Sequence, residues 1–239
     1  MKEKLNFSPW FVYGVTLFFW VYTYLDKARS LSGGVHLYRE YGLVENATNL
    51  MLLLAFLLYL LCLKKAESLW EKGWLLILAA GSFYFLGEET SWGYHYFHYG
   101  VDDSWRTLND QKEPNLHNLK GIWEILFDKL PRQLLSIGTV IGGLLGLLAD
   151  LKGNWPKNPM LQRLIPSGHT LFVAVSANLV AVPEKIGEHL LSEMPTWLKL
   201  GNDAGELKEC FLALFILFYA YGLFCQFSPS RIKPSAAKE

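Results

Sequence analysis

Long apolar runs alternate with short polar connections along most of the chain. A bilayer core about 30 Å thick takes roughly 20 residues as a helix, because each residue rises about 1.5 Å. Six stretches approach that length, at about 10–25, 46–63, 69–86, 134–149, 164–182 and 209–227. The second holds the near-unbroken run MLLLAFLLYLLCL, whereas the fifth is interrupted by Pro166, Gly168, His169 and Asn178. The pattern predicts an all-α integral membrane protein: about six transmembrane helices in a single helical membrane domain over 1–239, with no separate soluble domain. The first run is longer than a signal-peptide core and is followed by Asp26-Lys27 in place of a small-residue cleavage site, so a retained anchor is expected.

The connection at 87–133 carries a second periodicity. Leu116, Leu119, Ile122, Trp123, Leu126 and Leu130 recur at helical spacing, with Lys120, Glu124, Asp128 and Lys129 largely on the other side. This predicts an amphipathic helix lying in the membrane interface and starting near His117. Lys and Arg are equally numerous on the two sides, but one side has much shorter loops. The denser side is expected to be cytoplasmic. With six spans, both termini then lie in the cytoplasm, in an inner (plasma) membrane protein.

Composition narrows the function classes. Hydrophobic residues make up 51% of the chain, against the low hydrophobicity of a disordered sequence. Lys plus Arg is 22 and Asp plus Glu is 22, so the basic excess of a nucleic-acid binder is missing and membrane lipids are the expected partners. Cys62, Cys210 and Cys225 all fall in apolar runs without paired spacing and read as core residues. Gly138, Gly142 and Gly146, four apart, let helix backbones approach closely. They predict either a helix–helix dimer seam or packing within one bundle.

The candidate chemistry gathers at the outer ends of the runs. Ionisable residues at membrane depth are costly and mark functional positions. Glu88 and Glu89 close the third run, His95 and His98 follow, and Asn109, Asp110, Glu113, Asn115, His117 and Asn118 crowd one short segment. Glu45 and Asn49 share a face at the start of the second run, as Glu206 and Glu209 do at the start of the last. Glu88, Glu89 and His117 are the catalytic candidates, and Ser91, Trp92, Asn115 and Asn118 the substrate contacts. Glu89, Glu113, His117 and Glu209 are candidate ligands for a divalent metal such as zinc.

Gly87-Glu88-Glu89-Thr90-Ser91-Trp92-Gly93, followed by Glu113-Pro114-Asn115-Leu116-His117-Asn118, resembles the signature of a family of multi-pass bacterial membrane proteins of uncharacterised function. Its pattern is G-E-E-x-S-W-G-Q with a basic residue next, then E-x-N-L-H-N, then an acidic final helix. The resemblance implies a helical membrane protein and no particular activity. Tyr94 and His95 depart from the pattern, which makes His95 and His98 weaker candidates for a shared role.

Three readings of the polar group stay open. One is a metal-activated or carboxylate-activated water that cleaves or transfers a group on a lipid-linked substrate. Another is an ion or solute path, in a transporter-like protein or a non-catalytic membrane subunit. The third is a hydrogen-bonded knot that pins the long loop. Pro166-Ser167-Gly168-His169 resembles one motif of the type 2 phosphatidic acid phosphatases, but the companion Arg-Pro and the downstream His are missing, so it is expected to start and bend a helix.

Overall fold

The computed structural model describes residues 8–34, 42–109, 112–190, 195–196 and 199–228, without the side chains of Arg106 and Glu188. Part of the orientation argument (Lys2, Lys4, Arg39, Arg231, Lys233 and Lys238) lies outside these residues, as does Asp110. The described fold is helical: α1 (Pro9–Leu31), α2 (Leu43–Leu63), α3 (Leu69–Glu89), α4 (Asp103–Leu108), α5 (Ile122–Lys152), α6 (Pro159–Leu164), α7 (Thr170–Leu179), α8 (Val182–Leu190) and α9 (Asn202–Phe227). Short helical turns at Ser91–Gly93 and Tyr94–Phe97 follow α3. Among the described residues extended pairing is limited to one isolated bridge, Asn109 with Leu119.

Local chemistry sets the helix ends. Pro9 occupies the first turn of α1, where its missing N–H costs nothing. Ser68 and Glu71 form a reciprocal capping box at the start of α3. Buried hydroxyls on Thr16, Thr23, Thr48, Ser82 and Thr90 each bond the carbonyl four residues back, so these five need no partner outside their own helix.

α9 is the central helix. It packs along α2 and α7, α2 packs on α3, and α5 packs on α7. Leu207, Cys210, Phe211, Leu212 and Leu214 bury nearly all of their surface, and the hydroxyl of fully buried Tyr59 donates to the carbonyl of Ile216 at 3.2 Å. At the opposite end from the polar group, Arg163 pairs with Glu71 and covers the Phe227 ring at 4.1 Å. Trp74 Nε1 donates to the Tyr219 hydroxyl at 3.0 Å. That hydroxyl donates to the carbonyl of Arg163 at 2.8 Å.

Three helices among the described residues are long and apolar enough to cross a membrane: α2, α5 and α9. Large side chains such as Leu53, Leu57, Leu134, Ile137 and Ile141 stand exposed on α2 and α5. Apolar patches of this extent mark a surface that meets something other than water, which is compatible with a membrane location. The expected fifth span is a ten-residue helix, α7, entered through a turn at Pro166–His169. At about 1.5 Å per residue it reaches roughly half of a bilayer core. α1 and α3 have the length, but the interior Trp, Tyr and Thr residues of α1 and the charged ends of α3 keep their hydropathy below that of the three.

The expected amphipathic helix near His117 is not a separate element. Residues 112–121 form turns, helix begins at Ile122 after Gly121 at φ +71°, and it runs on into the fourth apolar run as α5. Its first part contains a π-turn, Ile125–Lys129. Pro131 explains that turn. Proline has no N–H and its ring collides with the carbonyl four residues back, here that of Phe127. The displaced carbonyl accepts the Tyr84 hydroxyl of α3 at 3.2 Å.

The glycine stripe is engaged within the chain. A Cβ on Gly143 would lie 2.8 Å from Leu171 Cα, and one on Gly142 3.2 Å from the Pro166 ring. Gly146 is tighter still, packed directly against the Pro166 carbonyl. These are the intrachain contacts that one of the two sequence expectations describes. Gly138 meets nothing within 4 Å.

Candidate functional site

The two sequence motifs meet. Glu88 sits on the last turn of α3 and is 4% exposed. Its Oε2 accepts the backbone N–H groups of Leu116 at 2.6 Å and His117 at 2.7 Å, and lies 3.2 Å from His117 Nδ1. Its Oε1 accepts the Trp92 indole N–H at 2.7 Å. Asn118 Nδ2 lies 2.9 Å from His117 Nε2, an arrangement in which Nε2 accepts and Nδ1–H donates to Glu88.

The local backbone explains the first motif. After α3 the chain turns through positive φ at Ser91 (45°), Trp92 (54°) and Gly93 (90°). That region is unfavourable for side chains bearing a Cβ, so surrounding bonds must hold it. Trp92 folds back over Gly87, where a Cβ would lie 2.8 Å from the ring. A side chain at Gly87 would therefore push the indole off Glu88.

A second group lies beside the first. Ser91 Oγ donates to Glu113 Oε2 at 2.5 Å and accepts from Asn115 Nδ2 at 2.9 Å. His95 Nε2 is 2.8 Å from the same Glu113 oxygen and 2.9 Å from Ser91 Oγ. Its Nδ1 is 3.6 Å from Glu45 Oε1 on α2. Asn109 Nδ2 donates to both the backbone oxygen and Oδ1 of Asn115 at 2.7 Å. The order Ser91, His95, Glu45 has the outline of a nucleophilic triad. Yet Glu45, and then Glu113, lift the His95 imidazole to about 9 against the opposing effect of burial. At neutral pH both ring nitrogens carry protons, and a general base needs a free lone pair. Ser91 is also fully buried. This group fastens the loop to the bundle.

The third group is different. The carboxylates of Glu89, Glu206 and Glu209 lie within 4.8 Å of one another. Arg132 of α5 donates to Glu209 at 2.8 Å through Nη1 and to Asp128 at 2.6 Å through Nη2. Glu89 opens onto a cavity of about 250 Å³ between α3, α5 and α9. The walls are Ile77, Leu78, Gly81, Phe85, Leu135, Leu212 and Ile216 together with other apolar groups, and the polar end is formed by Glu88, Glu89, His117, Asp128 and Arg132. Here α3 packs on α2 and α5 packs on α7, which leaves a cleft between them floored by α9. Exposed Ile77 stands at its rim.

The expected metal set of Glu89, Glu113, His117 and Glu209 does not come together. Glu113 is engaged by Ser91 and His95, and His117 by Glu88 and Asn118. Glu206 joins Glu89 and Glu209 instead, giving an all-oxygen group that fits a hard cation better than zinc. Of the expected substrate contacts, Ser91 and Asn115 are buried in the fastening group, and Asn118 serves His117. Glu89 and His117 face the cavity. Arg132 and Glu206 were not among the sequence candidates. The shared face of Glu206 and Glu209 was the one available signal, and Arg132, within the 87–133 connection, carried none. No family model, curated protein or solved structure matches the chain.

Proposed function

We propose that this is a multi-pass membrane protein that admits a lipid-linked substrate sideways into the cleft between α3 and α5 and hydrolyses it, or transfers a group from it, at Glu89. One observation carries the reading: apolar walls running between two helices end on a group of carboxylates, the shape and polarity of a site for an amphiphile. In the hydrolytic version Glu89 removes a proton from water, the water oxygen attacks the electrophilic centre of the headgroup linkage, and the proton passes to the leaving oxygen. On this reading the chain belongs with the bacterial family it resembles. α1, α3 and the α7–α8 region complete six crossings of the plasma membrane, both termini are cytoplasmic, and the start of α5 lies at the outer interface.

The test is native mass spectrometry of protein extracted in mild detergent, with headgroup release from reconstituted lipid as the second readout. Gly81 lines the cleft, and a Cβ there meets nothing within 4 Å, so Gly81→Phe fills the space without a backbone clash. The wild type should retain lipid and Gly81→Phe should lose it. Glu89→Gln should retain lipid and lose turnover. Equal lipid retention in wild type and Gly81→Phe would overturn the reading.

A second reading has its own support. Glu89, Glu206, Glu209 and Arg132 come from three helices and meet inside the bundle, as the groups of an ion path do. A proton or cation flux into protein-containing vesicles, abolished by Glu89→Gln, would favour it over turnover.

A further inference from the structure

The cleft's hydrogen-bonding groups are unequally used. Each donor-bearing side chain on its lining is already engaged with a group of the protein. Ser82 donates to the carbonyl of Leu78 and Tyr84 to that of Phe127. Arg132 is engaged on both sides by Asp128 and Glu209. His117 lies against Glu88 through Nδ1 and Asn118 through Nε2. Lys208, next to Glu209 in sequence, lines no part of the cavity. What remains at the polar end are carboxylate oxygens: Glu89 on the cavity wall, with Glu206 and Glu209 within 4.8 Å. An anionic headgroup would meet a majority of carboxyl groups and an arginine already paired with two of them, and like charges in a low-dielectric site repel strongly. A headgroup that brings its own donors and a positive charge finds acceptors in place.

We infer that the cleft selects an amphiphile with an ammonium headgroup, its chain along Ile77, Gly81, Leu212 and Ile216 and its nitrogen at Glu89 and Glu206. This rests on the cleft being a lipid site and names the class of lipid. The cavity, about 250 Å³, lies just below the roughly 300–1,000 Å³ of pockets that enclose a drug-sized ligand. It therefore takes one chain and a small head, and any second chain stays in the bilayer outside the rim. Ammonium–carboxylate hydrogen bonds are charge-assisted, which gives the headgroup the leverage to discriminate.

The experiment uses the full chain in nanodiscs of a zwitterionic choline lipid, with two single-chain probes of equal length. One is lysophosphatidylethanolamine and the other lysophosphatidic acid, which lacks the amine. The ethanolamine probe should bind roughly tenfold tighter or better, about the factor one charge-assisted hydrogen bond supplies. The isosteric pair Glu89→Gln and Glu206→Gln should remove the preference while both probes still bind. Gly81→Phe should weaken both probes alike. Equal binding of the two probes, abolished by Gly81→Phe, would overturn the ammonium inference and leave the lipid cleft standing. Failure of both probes to bind would overturn the cleft as well. Tight uptake of calcium or zinc that is lost in Glu206→Gln, without discrimination between the probes, would overturn the inference in favour of a metal site.

Discussion

His117 is held to Glu88 twice through one oxygen, by its backbone N–H at 2.7 Å and by ring Nδ1 at 3.2 Å. Leu116 N–H and the Trp92 indole share the same carboxylate. Removing it leaves several donors without an acceptor, at about 1–3 kcal/mol each where they stay buried. Glu88→Ala should cost about 3 kcal/mol after relaxation, which lowers the melting midpoint by roughly 6–12 °C at about 2–4 °C per kcal/mol. Glu88→Gln keeps an acceptor and should cost less than half as much. A midpoint unmoved in Glu88→Ala would show that the loop is held elsewhere.

His95 gives the fold a pH dependence with a defined sign. Its folded value of about 9 lies above the ordinary histidine value of about 6.5. The stability it contributes is therefore fully present below about pH 6.5 and is lost as pH rises through about 9. Wild type should melt above His95→Gln at pH 6, and the gap should close by pH 10. A gap of constant size across that range would contradict the assignment.

Arg132 and Glu209 should behave as a coupled pair. Arg132→Met strands two carboxylates and should cost roughly 3 kcal/mol in thermal stability. Glu209→Gln in the same chain should restore a good part of that loss, since the double variant carries less unpaired charge. Additive losses in the double variant would mean that the two side chains are not energetically linked.

The glycines of α5 make opposite predictions. Gly146→Ala drives a methyl group into the Pro166 carbonyl and must push α5 off the α7 turn, so a large loss of stability or of folded yield is expected. Gly138→Ala meets open space on a helix and should be neutral, or stabilising by up to about 1 kcal/mol. Thermal melting of the two variants side by side separates these outcomes.

Much of this was legible in the sequence, for reasons particular to each part. α2 and α9 follow from unbroken hydropathy, which needs no knowledge of neighbours. Glu88 and His117 stood out because ionisable residues near membrane depth are rare, and the structure joins them. The fifth run shows how far composition reaches: Pro166, Gly168 and His169 mark an interruption in the sequence, and the turn they form sets the start of α7 at Thr170. Glu113 and Ser91 were assigned to a ligand and a substrate contact, but both are held by His95, a residue discounted for departing from a pattern. Pairings of this kind depend on which loop crosses which helix end, and linear spacing does not encode that. Arg132 was hidden for a related reason: its partner Glu209 is far away in the chain.

The π-turn at Ile125–Lys129 controls an angle as well as a carbonyl. Each α-helical residue advances the helix by about 100°, so one residue gained or lost in the turn swings the residues upstream of it around α5 relative to Arg132. Deleting a single residue from Ile125–Lys129 would let the turn relax to ordinary α-helix. It would rotate Ile122, Trp123 and Glu124 relative to Arg132, whose own phase is held by its fixed spacing from Gly142 and Gly146, which lock the far half of α5 against α7. The charge that faces the cleft is therefore set from the glycine side of α5, and the turn decides instead at which angle the incoming loop joins the helix.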